Sequence, residues 1–90
     1  MVKNIVVLGS TGSIGRSALA VLRETRERFR LVGLAAGNNT QLLEKQVHEF
    51  SPRAVSVKSQ KHARELQEIF PKTKVFYGEE GLQEIVSLPE

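Results

Sequence analysis

Apolar residues along this chain alternate between two spacings. Ile5-Val6-Val7-Leu8 is apolar at every position and rich in β-branched residues, the pattern of a strand covered on both faces of a parallel sheet. From Ile14 the spacing becomes helical, and Ile14, Ala18, Val21 and Leu22 are expected to share one face. The charged run Arg23 to Arg28 ends that helix. Arg30-Leu31-Val32-Gly33-Leu34-Ala35-Ala36 predicts a second strand. Leu43, Val47 and Phe50 then recur at i, i+4 and i+7, in a helix capped by Asn39 or Thr40 and stopped by Pro52. Ala54-Val55-Ser56-Val57 predicts a short third strand. Ser59 caps a helix with Ala63, Leu66, Ile69 and Phe70 on one face and Pro71 at its end. Lys74-Val75-Phe76-Tyr77 predicts a fourth strand, and Gly81 to Leu88 a last short helix before Pro89-Glu90.

Strands alternating with helices of this length predict βαβ units, a parallel sheet and right-handed crossovers. The junction between the first strand and first helix adds chemistry to that frame. It reads Gly9-Ser10-Thr11-Gly12-Ser13-Ile14-Gly15, with three glycines at spacing three. Gly9 ends the strand where the chain must turn sharply, and Gly12 lets backbone approach a pyrophosphate. Gly15 lets the helix press against the strand. The free N–H groups of the helix start, with the macrodipole behind them, favour an anion there. Ser10, Thr11 and Ser13 are further candidate donors through their hydroxyls. The turn is one residue longer than G-x-G-x-x-G, and no Gly-Lys-Ser/Thr ends it, so it is not a Walker loop. A glycine-rich turn without ligand is the competing reading.

The fold class predicted is therefore α/β, a Rossmann-like, partial doubly wound parallel sheet of four strands alternating with helices. A ligand loop of this kind belongs at a switch point of strand order. This favours the order 4-3-2-1 over 3-2-1-4, with the first three helices on one face and the last on the other. A final helix normally leads to another strand, so residues 1–90 are expected to be the first part of an NADP-binding domain, without its catalytic and C-terminal domains.

Composition narrows the class further. The chain has 90 residues, 40% hydrophobic and 26% charged, an ordinary globular balance for one small domain. No apolar run reaches the length of a membrane span, nothing reads as a targeting peptide, and there is no cysteine; a cytoplasmic protein is expected. The net charge of +3 raises the question of nucleic acid. Five arginines fall between Arg16 and Arg30 with Phe29 as the one aromatic among them, which fits a solvated helix face better than a nucleic-acid surface.

The end of the second strand bears on the cofactor. NAD-binding folds usually carry an acidic residue about twenty residues after the glycine loop, bonding the ribose 2′-hydroxyl. Here that region is Ala35-Ala36-Gly37-Asn38-Asn39, without a carboxylate. A 2′-phosphate meets no repulsion there, so NADP is expected. The same residues also suit a turn that caps the next helix, and the two roles are compatible.

Leu8-Gly9-Ser10-Thr11-Gly12-Ser13-Ile14-Gly15, then Ala36-Gly37-Asn38-Asn39, then Phe50-Ser51-Pro52-Arg53 before a valine-rich strand, closely resembles the N-terminus of the 1-deoxy-D-xylulose 5-phosphate reductoisomerase family. The resemblance implies an NADPH-dependent enzyme of isoprenoid precursor synthesis that also needs a divalent metal, Mg or Mn. Such an enzyme rearranges a sugar phosphate and reduces the resulting aldehyde to 2-C-methyl-D-erythritol 4-phosphate; as a whole protein it is expected to be a homodimer. It also implies that Thr11, Gly12, Ser13 and Ile14 surround the pyrophosphate, while Gly37, Asn38 and Asn39 surround the ribose and its 2′-phosphate. Some members carry a lysine where this chain has Asn38. The family's metal ligands and substrate-phosphate site are expected beyond residue 90, so no catalytic or metal residue is assigned and the chain alone is expected to be inactive.

Other residues carry less. His48 and His62 lie on predicted helices without a second ligand at useful spacing, and Glu79, Glu80 and Glu84 suit a helix start. Two alternatives stay open: a stand-alone dinucleotide-binding module, or another NAD(P)-dependent dehydrogenase with a G-x-x-G-x-x-G loop. A Tyr-x-x-x-Lys pair would mark an extended short-chain enzyme and a cysteine nucleophile a semialdehyde dehydrogenase; neither occurs in these residues.

Overall fold

The computed structural model describes residues 2–88. Its elements run β1 (Lys3–Leu8), α1 (Ser13–Glu24), β2 (Phe29–Ala35), α2 (Thr40–Phe50), β3 (Ala54–Val57), α3 (Gln60–Ile69), β4 (Lys74–Tyr77) and α4 (Gly78–Val86). Every neighbouring pair of strands is parallel, in the order β1-β2-β3-β4, which is the 4-3-2-1 arrangement expected from the switch-point argument. A register shift between Ile5 and Val6 leaves Val32 without a partner on β1. Pro89 and Glu90 lie outside the described residues.

Side-chain alternation divides the sheet into two faces. On one, Val7, Leu31, Leu34, Val55 and Val57 pack with Leu19 and Leu22 of α1, Leu43 and Val47 of α2, and Ala63 and Leu66 of α3. Each fully buried leucine contributes roughly 1.5–3 kcal/mol of transfer free energy, so this face dominates the stability. The other face is covered by α4. A methyl group added at Gly81 would lie 2.5 Å from Ser56 Oγ and 3.0 Å from Phe76 Cβ, so the absence of a side chain sets how close α4 comes. Ile85 is fully buried on this side, beside Gly33. Three helices on one face and the fourth on the other is the predicted layering.

Capping explains the boundaries. Asn39 Oδ1 accepts from Leu42 N at 3.1 Å, and Ser59 Oγ accepts from His62 N at 3.2 Å, starting α2 and α3. Ser51, in the left-handed region at φ 48°, closes α2 just before Pro52.

Three expectations need correction. Ile14 is 88% exposed and Val21 61% exposed, so they do not share the buried face with Leu22. That face is Gly15, Leu19 and Leu22, because α1 turns its glycine toward the end of β1. Ile69 is exposed as well, since Ala63 and Leu66 carry the burial of α3. The last helix starts at Gly78, not Gly81: Gly78 takes φ 71° after an extended Tyr77, and Gly81 lies within the helix.

Candidate dinucleotide site

The carboxyl end of β1 is shaped by its glycines. Gly9 has φ 66°, which an L side chain rarely adopts, and its carbonyl accepts from Gly12 N at 3.0 Å to close the turn. A Cβ on Gly15 would lie 2.1 Å from Gly9 O and 2.7 Å from Ser10 Cα. Helix α1 therefore rests directly on the turn, as the sequence predicts. A Cβ on Gly12 would meet Gly9 O at an ordinary 3.5 Å, so its surroundings leave open the space a ligand needs.

Gly12 is the N-cap of α1 and supplies no capping side chain. The ladder begins with Arg16 N donating to Gly12 O at 2.9 Å, which leaves the N–H groups of Ser13, Ile14 and Gly15 as the unpaired donors of the first turn. Gly15 is buried; Ser13 and Ile14 are exposed. No acidic residue lies in that turn to compete for them. An anion is the chemical complement of this arrangement. Among the predicted contacts Thr11 is half-buried and Gly12, Ser13 and Ile14 are exposed, so all four can be reached. Ser10 is not among them. Its hydroxyl, a candidate donor on sequence grounds, is completely buried and without a partner, out of a ligand's reach, while its N donates to Ala35 O at 2.9 Å.

The second loop leaves β2 at the same end of the sheet. Asn38 and Asn39 are exposed and Gly37 is half-buried. Asn39 serves the helix through its Oδ1, and its Nδ2 is left pointing no hydrogen bond at the protein. The capping role and a ligand role use different atoms of one amide. A cleft of about 440 Å³ is lined by Leu8, Gly9, Ala35, Gly37 and Lys58, with Glu79 and Leu82 from the α4 side; of the seven predicted contacts Gly37 alone lines it. It lies over the carboxyl ends of the strands, where open parallel sheets bind ligands. A larger, open hollow of about 720 Å³ at the β4–α4 edge touches neither loop.

Two features of the site were not predicted. Gln46 is buried and its Nε2 donates to Ser10 O at 2.8 Å, bracing the glycine turn from α2. Its position three residues after Leu43, on the buried face, was the available signal. Lys58 on the cleft wall follows β3 directly, and only knowledge of the strand register brings it near Gly37. Among the described residues no three His, Cys, Asp or Glu side chains group to hold a metal, Glu79, Glu80 and Glu84 included. His48 is exposed and packs edge-on against Phe70, ring centroids 4.8 Å apart. Arg23 and Arg26 bind Glu49 and lie 5.7 and 5.0 Å from the centre of the Phe50 ring, so two of the clustered arginines have local partners.

A parallel sheet in this order, with a glycine turn seating an open helix N-terminus beside an acid-free second loop, defines a Rossmann-like α/β protein. Residues 5–90 match the family model described as 1-deoxy-D-xylulose 5-phosphate reductoisomerase. The chain belongs to that family. It is 48% identical over 85 residues to the protein of that name from Thermoanaerobacter sp. (strain X514), covering 93% of this chain and 22% of that protein. With the one from Bacillus cereus (strain Q1) it shares 46% over 88 residues, 98% of this chain and 23% of that protein. A crystal structure of DOX-P reductoisomerase in complex with NADPH, fosmidomycin and magnesium superposes with a TM-score of 0.87 at 31% identity, over 96% of this chain and 22% of that one. The Zymomonas mobilis enzyme in complex with NADPH gives a TM-score of 0.88 at 22% identity, over 98% of this chain and 24% of that one, a likeness of fold. The chain thus spans less than a quarter of the length of these relatives.

Proposed function

We propose that this chain is the N-terminal, NADPH-binding segment of a 1-deoxy-D-xylulose 5-phosphate reductoisomerase. Residues 1–90 are then the first part of its NADP-binding domain. The whole enzyme rearranges 1-deoxy-D-xylulose 5-phosphate and reduces it to 2-C-methyl-D-erythritol 4-phosphate, and bound NADPH supplies the hydride. One observation carries the reading: the start of α1, where Gly12 offers no capping side chain and Ser13 and Ile14, both exposed residues, have N–H groups without a partner. These two donors hold the pyrophosphate, with Thr11 beside them and Gly12 leaving room for it to approach. Gly37, Asn38 and Asn39 hold the ribose and its 2′-phosphate with neutral donors. The NADPH complex of a relative 31% identical to this chain supports the cofactor.

The divalent metal, Mg or Mn, is held by residues other than these; the magnesium in the relatives' structures supports the need for such an ion. The 90 residues alone accordingly bind cofactor without turnover. The intact enzyme is a cytoplasmic homodimer that takes a sugar phosphate and contacts neither nucleic acid nor membrane. Among the described residues no helix is long and apolar enough to cross a membrane. Calorimetric titration of the chain with NADPH and NADH tests the core of the proposal. NADPH is expected to bind more tightly; a preference for NADH, or no binding of either, would overturn it.

A further inference from the structure

We propose that Lys58 is the cation that makes the site select NADPH over NADH. The inference rests on the dinucleotide reading above and adds to it a residue outside both predicted loops. A ribose 2′-phosphate carries close to two negative charges at neutral pH, as a phosphate monoester does. The loop Gly37-Asn38-Asn39 answers it with neutral donors only. A dianion held by amides alone is poorly distinguished from a hydroxyl, so discrimination calls for a positive side chain nearby.

The register of the sheet puts one there. Gly33 pairs with Ala54, Leu34 with Val55 and Ala35 with Ser56, and Ala36 N donates to Ser56 O at 2.9 Å just past the end of β2. The two strands end side by side, so Gly37, the second residue past β2, and Lys58, the first past β3, leave the sheet from neighbouring positions. Both residues line the cleft of about 440 Å³ over the strand ends. Lys58 is exposed, and the ion pairs among the described residues are those of Arg23 and Arg26 with Glu49, so its ammonium is uncommitted. It immediately precedes Ser59, the cap of α3, where the positive end of that helix reinforces its charge. Glu79 lines the cleft from the first turn of α4. The field across the cleft therefore runs from Lys58 toward Glu79, and an anion seats on the side of Lys58, against β2 and β3.

The test is calorimetric titration of the wild-type chain, Lys58→Gln and Lys58→Arg with NADPH and with NADH, at two salt concentrations. Lys58 is exposed, so neither substitution disturbs the core. Lys58→Gln is expected to weaken NADPH about tenfold, the loss of one charge-assisted contact, and to leave NADH within about twofold. Lys58→Arg is expected to retain the preference, and the salt dependence of NADPH binding is expected to become shallower in Lys58→Gln. Equal weakening of both cofactors, or of neither, overturns the role of Lys58 while leaving the dinucleotide site standing. A wild-type chain that binds neither cofactor overturns the site itself, and this inference with it.

Discussion

The side-chain amide of Gln46 reaches from α2 to the carbonyl of Ser10, 2.8 Å away and out of solvent, so the glycine turn is held from the neighbouring helix as well as from its own. The same α2 begins at Asn39, in the second loop. One helix therefore sets the position of both loops that the proposed cofactor touches.

Gln46→Leu removes that brace at nearly constant volume. Leaving a buried carbonyl unpaired costs about 1–3 kcal/mol. The variant also removes Gln46 Oε1, itself buried without a partner, which offsets part of the loss. The net expectation is a loss of about 1 kcal/mol in denaturant unfolding, with a severalfold weaker affinity for NADPH. Unchanged NADPH affinity in the folded variant would show that the turn keeps its shape without α2.

Two glycines of the same turn separate folding from binding. Gly15→Ala forces a methyl group to within 2.1 Å of Gly9 O, backbone that can move only if α1 withdraws from β1. Its cost is expected to reach about 3 kcal/mol or more, a large share of the stability of so small a domain. Gly12→Ala adds a methyl group at 3.5 Å from the same oxygen, at φ −82°, which alanine adopts freely. Stability should fall by no more than about 1 kcal/mol, the N-cap preference of glycine over alanine, while NADPH affinity falls at least tenfold. Thermal melts and calorimetry on the two variants check both halves; a Gly12→Ala protein that melts lower yet binds normally would make Gly12 a turn residue only.

These contrasts also mark what the sequence can and cannot convey. The bounds of β3 and β4 are legible as short apolar runs set off by Pro52 and Pro71 before them and, for β3, by the capping Ser59 after it, signals local to the segment. The roles of Gly9 and Gly15 were legible for the same reason, since a turn and a close approach leave glycine as the fitting residue. Ile14 and Val21 misled because helical spacing gives the period of a stripe but not its phase, and the phase of α1 was set by the contact of Gly15 with Gly9. The burial of Gln46 is legible from its place after Leu43, but its partner, 36 residues away, is not, and the place of Lys58 on the cleft wall depends on the pairing of β2 with β3. Ser10 looked like its neighbours Thr11 and Ser13 in the sequence and is separated from them by burial alone.

Acid should weaken the contact between α1 and α2. Arg23 donates to both carboxylate oxygens of Glu49, and this hydrogen bond is the main cause holding the Glu49 carboxyl below its ordinary value. A depressed carboxyl contributes stability that is present above its unfolded value, about 4.3, and is lost as pH falls through its folded one. Both side chains are well exposed, so solvent screening keeps the effect small beside a core leucine such as Leu19, whose truncation costs about 2–5 kcal/mol. Glu49→Gln should therefore be slightly less stable at pH 7 and lose less stability between pH 5 and pH 3. Urea midpoints at those values decide it; parallel acid profiles for variant and wild type would remove Glu49 from the account.

The two edges of the sheet differ in how well they are guarded. β4 is four residues long and opens on Lys74, the short, charged form that discourages pairing. β1 is six residues long, and Lys3 N donates to Arg28 O on the β2 side, so alternation turns the N–H groups of Asn4 and Val6 outward. Leu8, at the end of this edge, and Leu82 and Val86 on α4 are exposed apolar residues. A second copy of the chain added along β1 would pair those backbone groups and approach Leu8 and Leu82, which line one cleft. The 90-residue chain is therefore expected to self-associate at micromolar concentrations. Val86→Lys, at a position 58% exposed, should shift it toward monomer by placing a charge among those exposed apolar residues, and Asn4→Pro should do so by removing an outward N–H. Sedimentation equilibrium on the three proteins, with circular dichroism to confirm that each is folded, measures the effect. A wild-type chain that stays monomeric across the concentration range would show that β1 is protected by its twist and by Lys3 alone.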